Sequence, residues 1–199
     1  MSLETRLLFG PVAALIFLVG VICLSLLVPG YNHLQQSISA IGKLGTPMRI
    51  PFALVIALYA GSLLVFASGM NQLATKIGAT KLPVYWLSFL AMTQFGIAIF
   101  ASPHPLHNIF GLLGLLGDLV PLVIAVAWRR VELNNLVLIS WILGLLVLAA
   151  LILNLSELVP KSAMWQLVKP YPGLAQRLFV AVWLSWLVVA GLAMRKSEA

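Results

Sequence analysis

Six long apolar runs constrain this chain more than any other feature. They cover about residues 7–28, 51–70, 83–101, 108–128, 135–156 and 173–194, and each is nearly free of charge. A helix of about 20 residues, rising ~1.5 Å per residue, crosses a hydrocarbon core of ~30 Å. In that core every backbone N–H and C=O must find a partner inside the protein, which leaves helix bundles or closed barrels. Barrel strands are about 10 residues long and alternate in polarity. These runs are longer and apolar on all sides, so helices are expected. The predicted fold is all-α: a polytopic membrane protein, a six-transmembrane-helix bundle forming a single domain over residues 1–199.

Composition agrees. Only 9% of the residues are charged and 62% are hydrophobic, whereas a soluble domain carries about 25% charged residues. The first run ends at Pro29-Gly30. It is longer than the ~7–15 residues of a signal-peptide core and lacks a small-x-small cleavage site, so it reads as a retained helix. No soluble domain and no internal repeat stands out between the runs. The net charge of +7 comes from bases scattered over short loops and ends, without a basic stripe. Nucleic-acid binding is therefore not expected. The lone Cys23 forbids an internal disulfide and a cysteine metal motif. A small buried apolar side chain is the expectation for it.

Six spans place both termini on one side. That side collects Arg6, Lys76, Lys81, Arg129, Arg130, Arg195 and Lys196; the other has Lys43, Arg49, Lys161, Lys169 and Arg177. The positive-inside bias predicts cytoplasmic termini. Tyr85, Trp86, Trp128, Trp165 and Tyr171 fall near run ends, as interfacial anchors would. Trp183 and Trp186 lie inside the last run and are expected to pack against neighbouring helices.

The specific polar residues gather on the side opposite the termini. Residues 30–42 read Gly30-Tyr31-Asn32-His33-Leu34-Gln35-Gln36-Ser37-Ile38-Ser39-Ala40-Ile41-Gly42, and all three histidines, His33, His104 and His107, lie on this side. Leu34, Ile38 and Ile41 share a helical face, so residues 34–42 are expected to form a short interfacial helix, or else a lid over a cavity. In the fourth run His107, Gly111, Gly114 and Asp118 are spaced i, i+4, i+7 and i+11, which keeps them on one stripe. Asp118 then sits ~16 Å below His107, where a charge costs about 2.5–3.5 kcal/mol on insertion scales. It must face the bundle interior, as a ligand contact, ion site or proton relay, or as a neutral acid bonded across helices. Gln94 in the third run is its candidate partner. Glu157 and Arg177 are candidates for an ion pair at the rim.

Sharper chemistries have little support. His104, His107 and His33 could supply three imidazoles, but Pro103 and Pro105 bracket His104 and no HxxxH or HExxH pair exists. The histidines lie at the edge of the spans, unlike the facing pair that holds haem. Ser37 or Ser39 with a histidine has no G-x-S-x-G context. No metal and no cofactor is expected.

Three motifs suggest a family. Gly30-Tyr31 with Ser37-Ile38-Ser39-Ala40-Ile41-Gly42, Phe100-Ala101-Ser102-Pro103 with His107-Asn108, and Gly173-Leu174-Ala175-Gln176-Arg177 resemble the DUF998 family of bacterial and archaeal membrane proteins. Gln176 stands where that family often has Glu, and Ala101-Ser102 interrupts its Phe-Pro pair. The resemblance implies a six-helix bundle in a prokaryotic plasma (inner) membrane and implies no activity.

The leading expectation is a non-enzymatic or accessory multi-pass protein with an outward-facing cavity for a lipid or small amphiphile. Its candidate ligand-binding residues are Tyr31, His33, Ser37, Ser39, Gln94, His107, Asn108, Asp118, Glu157 and Arg177. Membrane lipids are the expected partners, with a second copy or another membrane protein possible. The alternatives are a membrane-embedded enzyme acting on lipid through His107 and Asp118, and a small proton-coupled transporter with a polar path leading inward past Ser62, Ser88 and Ser140.

Overall fold

A computed structural model describes residues 1–131 and 133–197. The described residues form helices, turns and loops without a strand. Among the described residues six spans are long and apolar enough to cross a membrane: Leu3–Leu26, Arg49–Lys76, Leu82–Ile99, Pro105–Ala127, Asn135–Leu158 and Pro172–Lys196. Their helices are α1 (Leu3–Leu7) and α2 (Phe9–Leu26), α3 (Arg49–Lys76), α4 (Leu82–Ile99), α5 (Pro105–Gly117) and α6 (Val120–Ala127), α7 (Asn134–Leu155), a short loop helix α8 (Ala163–Val168), and α9 (Pro172–Lys196).

Two spans are interrupted, and proline explains both. A proline has no N–H for the carbonyl four residues earlier. Pro11 faces this problem at Leu7 and Pro121 at Gly117; the helical runs end at Leu7 and at Gly117 and resume at Phe9 and Val120. The second break falls on Asp118-Leu119, inside what the sequence suggests is one continuous fourth helix.

The spans pack as a ring in chain order: α2 on α3, α3 on α4, α4 on α5 and α6, α6 on α7, α7 on α9, and α9 back on α2. The start of α1 and the end of α9 lie on one face, where Arg195 Nε sits 3.7 Å from Glu4 Oε2. This is called the terminal face and the opposite one the histidine face. The two halves of the bundle differ. Leu7, Leu63, Phe66, Met70, Leu73, Leu87, Leu90, Ile124, Trp128, Leu187 and Met194 are fully buried and fill the terminal half. Close backbone approach helps to build this plug: a Cβ on Gly10 would lie 2.8 Å from the Leu187 carbonyl oxygen, and one on Gly191 2.6 Å from Pro11.

Several expectations are corrected. The second span runs to Lys76 rather than Met70, because 71–76 carries no helix breaker. Residues 34–42 form no interfacial helix. Only a 3-10 turn, Ile38–Ala40, is present. Ile38 and Ile41 are buried in a second apolar cluster with Val21, Phe52, Ile56 and Ala98, whereas Leu34 is exposed. Cys23 is exposed on the outside of the bundle rather than buried, since a thiol is apolar enough to face lipid. Trp128 is no interfacial anchor: it is fully buried, and its indole N–H donates to the Thr80 carbonyl at 2.8 Å, clasping the loop between α3 and α4. Trp183 and Trp186 do pack inside, stacked on each other at 5.2 Å.

Candidate functional site

The histidine half of the bundle holds a cavity of about 520 Å³. Ser37, Ser39, Asn108 and Glu157 stand at its mouth, His107, Gln94 and Gln176 on its walls, and Asp118 among its lining toward the plug. Phe17, Tyr59, Phe179 and Trp183 supply aromatic surface.

The break in the fourth span creates the base. The Asp118 N–H still closes α5 by donating to the Gly114 carbonyl at 2.9 Å. The Leu116 carbonyl accepts the Leu119 N–H at 3.2 Å and the Trp86 indole N–H at 2.7 Å. Trp86, which the sequence places as an interfacial anchor, thus satisfies backbone freed by the break. The Asp118 side chain is only 7% exposed and has no hydrogen-bond partner among the described residues. Every fully enclosed side-chain N or O atom described has a partner, so the unpartnered carboxyl group keeps its oxygens open to the cavity. Gln94 shares the cavity but does not bond Asp118. Its amide nitrogen lies against Gly114, 3.3 Å from where a Cβ would stand.

His107 is buried on the first turns of α5, and its Nδ1 lies 2.7 Å from the Phe100 carbonyl oxygen. A carbonyl only accepts, so Nδ1 carries the proton and Nε2 is left for the cavity. His104 Nδ1 accepts the Leu106 N–H at 3.1 Å and caps α5. His33 lies on the outside, 3.3 Å from Ser25 Oγ and edge-on to Tyr31. The three imidazoles are therefore engaged separately. Among the described residues no three His, Cys, Asp or Glu side chains gather as metal ligands.

Part of the expected rim lies elsewhere. Tyr31, His33 and Arg177 do not line the cavity. The Arg177 guanidinium donates to the Gln36 carbonyl at 2.9 Å, the Gly173 carbonyl at 2.8 Å and the Tyr31 hydroxyl at 2.6 Å. Turned toward these oxygens, Arg177 forms no pair with Glu157. Tyr31 in turn donates to the Ser37 carbonyl at 2.9 Å. Burial pushes its phenol above the ordinary value, and the Arg177 charge opposes that shift. The Gln176 side-chain oxygen accepts the Ile38 N–H at 2.7 Å. Gly173 is required here, since a Cβ would fall 2.5 Å from the Gln36 carbonyl oxygen and 2.6 Å from that of His33. Together these contacts lock the first loop onto the start of α9.

The family description "Protein of unknown function (DUF998)" matches residues 11–193. The chain belongs to the DUF998 family. No curated protein and no solved structure matches it. The motifs that resemble this family on sequence are brought together by the fold. Its first-loop and last-helix motifs form the lock of Tyr31, Gly173, Gln176 and Arg177. Its Phe100 and His107 are joined by their hydrogen bond. In this DUF998 protein Gln176 offers the first loop the same acceptor that a Glu side chain would.

Two features escape the sequence reading. Tyr59, mid-span in α3, lines the cavity and accepts the Trp183 indole N–H at 2.7 Å. The second is an opening in the ring. α6 packs on α7, with Leu122 2.7 Å from where a Gly144 Cβ would stand, whereas α5 makes little contact with α7. Leu112, Leu115, Asn154 and Leu158 line the cavity along this seam. The cavity thus faces both the histidine-side surface and the lipid beside α5 and α7.

Proposed function

We propose that this membrane protein binds a lipid or small amphiphile in the cavity, with the histidine face on the outer side of a prokaryotic plasma membrane. The observation that carries the reading is the cavity's layout. It has a polar mouth, aromatic and aliphatic walls, an unpartnered carboxylate in its lining and a seam toward lipid. Its volume falls within the ~300–1,000 Å³ typical of small-molecule sites. Polar and apolar lining on one path suits a molecule that is itself amphipathic.

The two alternatives gain less support. Unbroken helix from Pro105 to Gly117 separates His107 and Asp118 by ~16 Å along the axis, too far to act together on one proton. A carrier needs a polar route below Asp118. The terminal half is instead the apolar plug, and two of the three serines of that route are committed: Ser140 accepts the Trp186 indole N–H at 3.0 Å, and Ser62 donates to the Leu58 carbonyl at 2.8 Å.

Native mass spectrometry of gently solubilised protein tests the proposal. Wild type is expected to retain amphiphile. Gly111→Trp should lose it, because a side chain at Gly111 enters open cavity space. Equal retention by Gly111→Trp would overturn the reading.

A further inference from the structure

The charges of this cavity run against those of the chain. The sequence has twelve Lys and Arg and five Asp and Glu. The cavity lining contains two of the acids, Asp118 and Glu157, and none of the bases. Arg177, the base nearest in sequence to the lining, is held by three oxygens of the lock. The remaining titratable lining groups are His107, whose Nδ1 is taken by Phe100, and the Tyr59 phenol.

Asp118 sharpens the asymmetry. It is more than nine-tenths buried, unpartnered among the described residues, and open to the cavity. The same lining presents Phe17, Tyr59, Phe179 and Trp183. The Trp183 indole N–H donates to the Tyr59 oxygen, and Phe17 packs edge-on to Tyr59 at 5.0 Å, so these rings are fixed before any ligand arrives. Aromatic faces attract cations by their quadrupole, most strongly where water is excluded. A buried carboxylate is costly alone and much less so beside an opposite charge. An anionic headgroup would meet two carboxyl groups here and no guanidinium or ammonium.

We propose, building on the amphiphile-binding reading, that the ligand is a cationic amphiphile. Its ammonium group is seated among Asp118, Tyr59 and Trp183, and its hydrocarbon part lies along the seam between α5 and α7. Leu112, Leu115 and Leu158 on the seam match such a tail, and the apolar plug beneath Asp118 stops the cation from passing further.

The test uses full-length protein in nanodiscs of zwitterionic lipid. Dodecyltrimethylammonium and 1-dodecanol, which share one tail and differ in charge, serve as probes. Binding is followed by tryptophan fluorescence, with the signal from Gly111→Trp nanodiscs, measured relative to their own starting intensity, taken as bilayer partition. Wild type is expected to bind the cation about tenfold more tightly than the alcohol. Asp118→Asn should lose most of that preference while still binding the alcohol, and Asp118→Glu should keep it. Equal binding of both probes by wild type overturns the cation assignment and leaves the cavity reading intact. If neither probe exceeds partition, both fall. The wild-type comparison of the two probes decides the cation assignment even where Asp118→Asn fails to fold.

Discussion

At the residue scale the lock and the cavity separate cleanly. Arg177 makes three charge-assisted hydrogen bonds to the first loop and its own helix end, while Asp118 makes none. Hydrogen bonds to a charged group contribute about 1.5–3 kcal/mol each, without simple additivity. Arg177→Ala is therefore expected to destabilise the detergent-solubilised protein by about 2–3 kcal/mol in thermal unfolding. Arg177→Lys should recover less than half, since a single ammonium cannot reach all three oxygens in the planar guanidinium's geometry. Neither change should alter amphiphile selectivity. Tyr31 adds a pH signature. Its phenol titrates higher in the fold than its ordinary 10.0, because burial disfavours the phenolate. The folded state then holds more protons than the unfolded one above that pH, so stability falls as pH rises through it. Tyr31→Phe removes this contribution, and its unfolding midpoint should decline less steeply than wild type above pH 10.0. Equal alkaline slopes would count against the assignment. Sequence alone exposes Asp118, Gln94 and His107, because a polar group in an apolar run is conspicuous. It cannot tell a polar group that awaits a ligand from one that bonds a neighbouring backbone, which is why Tyr31, His33 and Arg177 are expected at the rim. Tyr59 and Trp183 are overlooked for the opposite reason: both rings suit an apolar run, and only the fold brings them to the cavity.

At the element scale the six runs are legible because lipid tolerates so few alternatives, and their order in the ring follows from short connections. The interruption of the fourth span is less visible. Its signal, Pro121, sits in a run that is apolar on both sides of Asp118, so length and apolarity suggest one helix. The outcome depends on what satisfies the freed carbonyls, and Trp86 on the adjacent α4 does so in part. Removing that donor by Trp86→Phe leaves the Leu116 carbonyl with the Leu119 N–H alone and should cost about 0.5–1.5 kcal/mol. Pro121→Ala has a different effect. Restoring an N–H opposite the Gly117 carbonyl lets α5 and α6 join as one straight helix, which should bring α5 toward α7. Proline kinks exceed about 20°, and Leu112 lies roughly 9 Å from the break, so the expected movement there is about 3 Å. Spin labels at Leu112→Cys and Leu153→Cys, in a background without Cys23, would report it as a shorter distance together with weaker amphiphile retention. An unchanged distance would mean that the packing of α4, rather than the proline, sets the direction of α5.

At the scale of the whole molecule the bundle is built in two halves, a packed plug beneath a polar cavity. The sequence foreshadows this division in its side chains: all three histidines lie on one side, and the long charge-free apolar stretches of α3 and α9 continue into the other half as Phe66, Met70, Leu187 and Met194. The direction of the molecule in the membrane follows from a different property. The terminal face carries Arg6, Lys76, Lys81, Arg129, Arg130, Arg195 and Lys196, against Lys43, Arg49, Lys161, Lys169 and Arg177 on the histidine face. Two of the latter are held inside the protein: Arg177 by the lock, and Arg49 by donating to the Ile99 carbonyl at 2.9 Å at the end of α4. Arg49 thereby offsets the partial negative charge at that end of α4. Cytoplasmic termini are the expected result. A fluorescent protein fused after Lys196 should therefore mature and emit in a bacterial host, while alkaline phosphatase at the same place stays inactive. Phosphatase inserted beside Lys161 should be active. The reverse pattern would turn the cavity toward the cytoplasm; its binding chemistry would stand, but its ligand would then come from the inner leaflet.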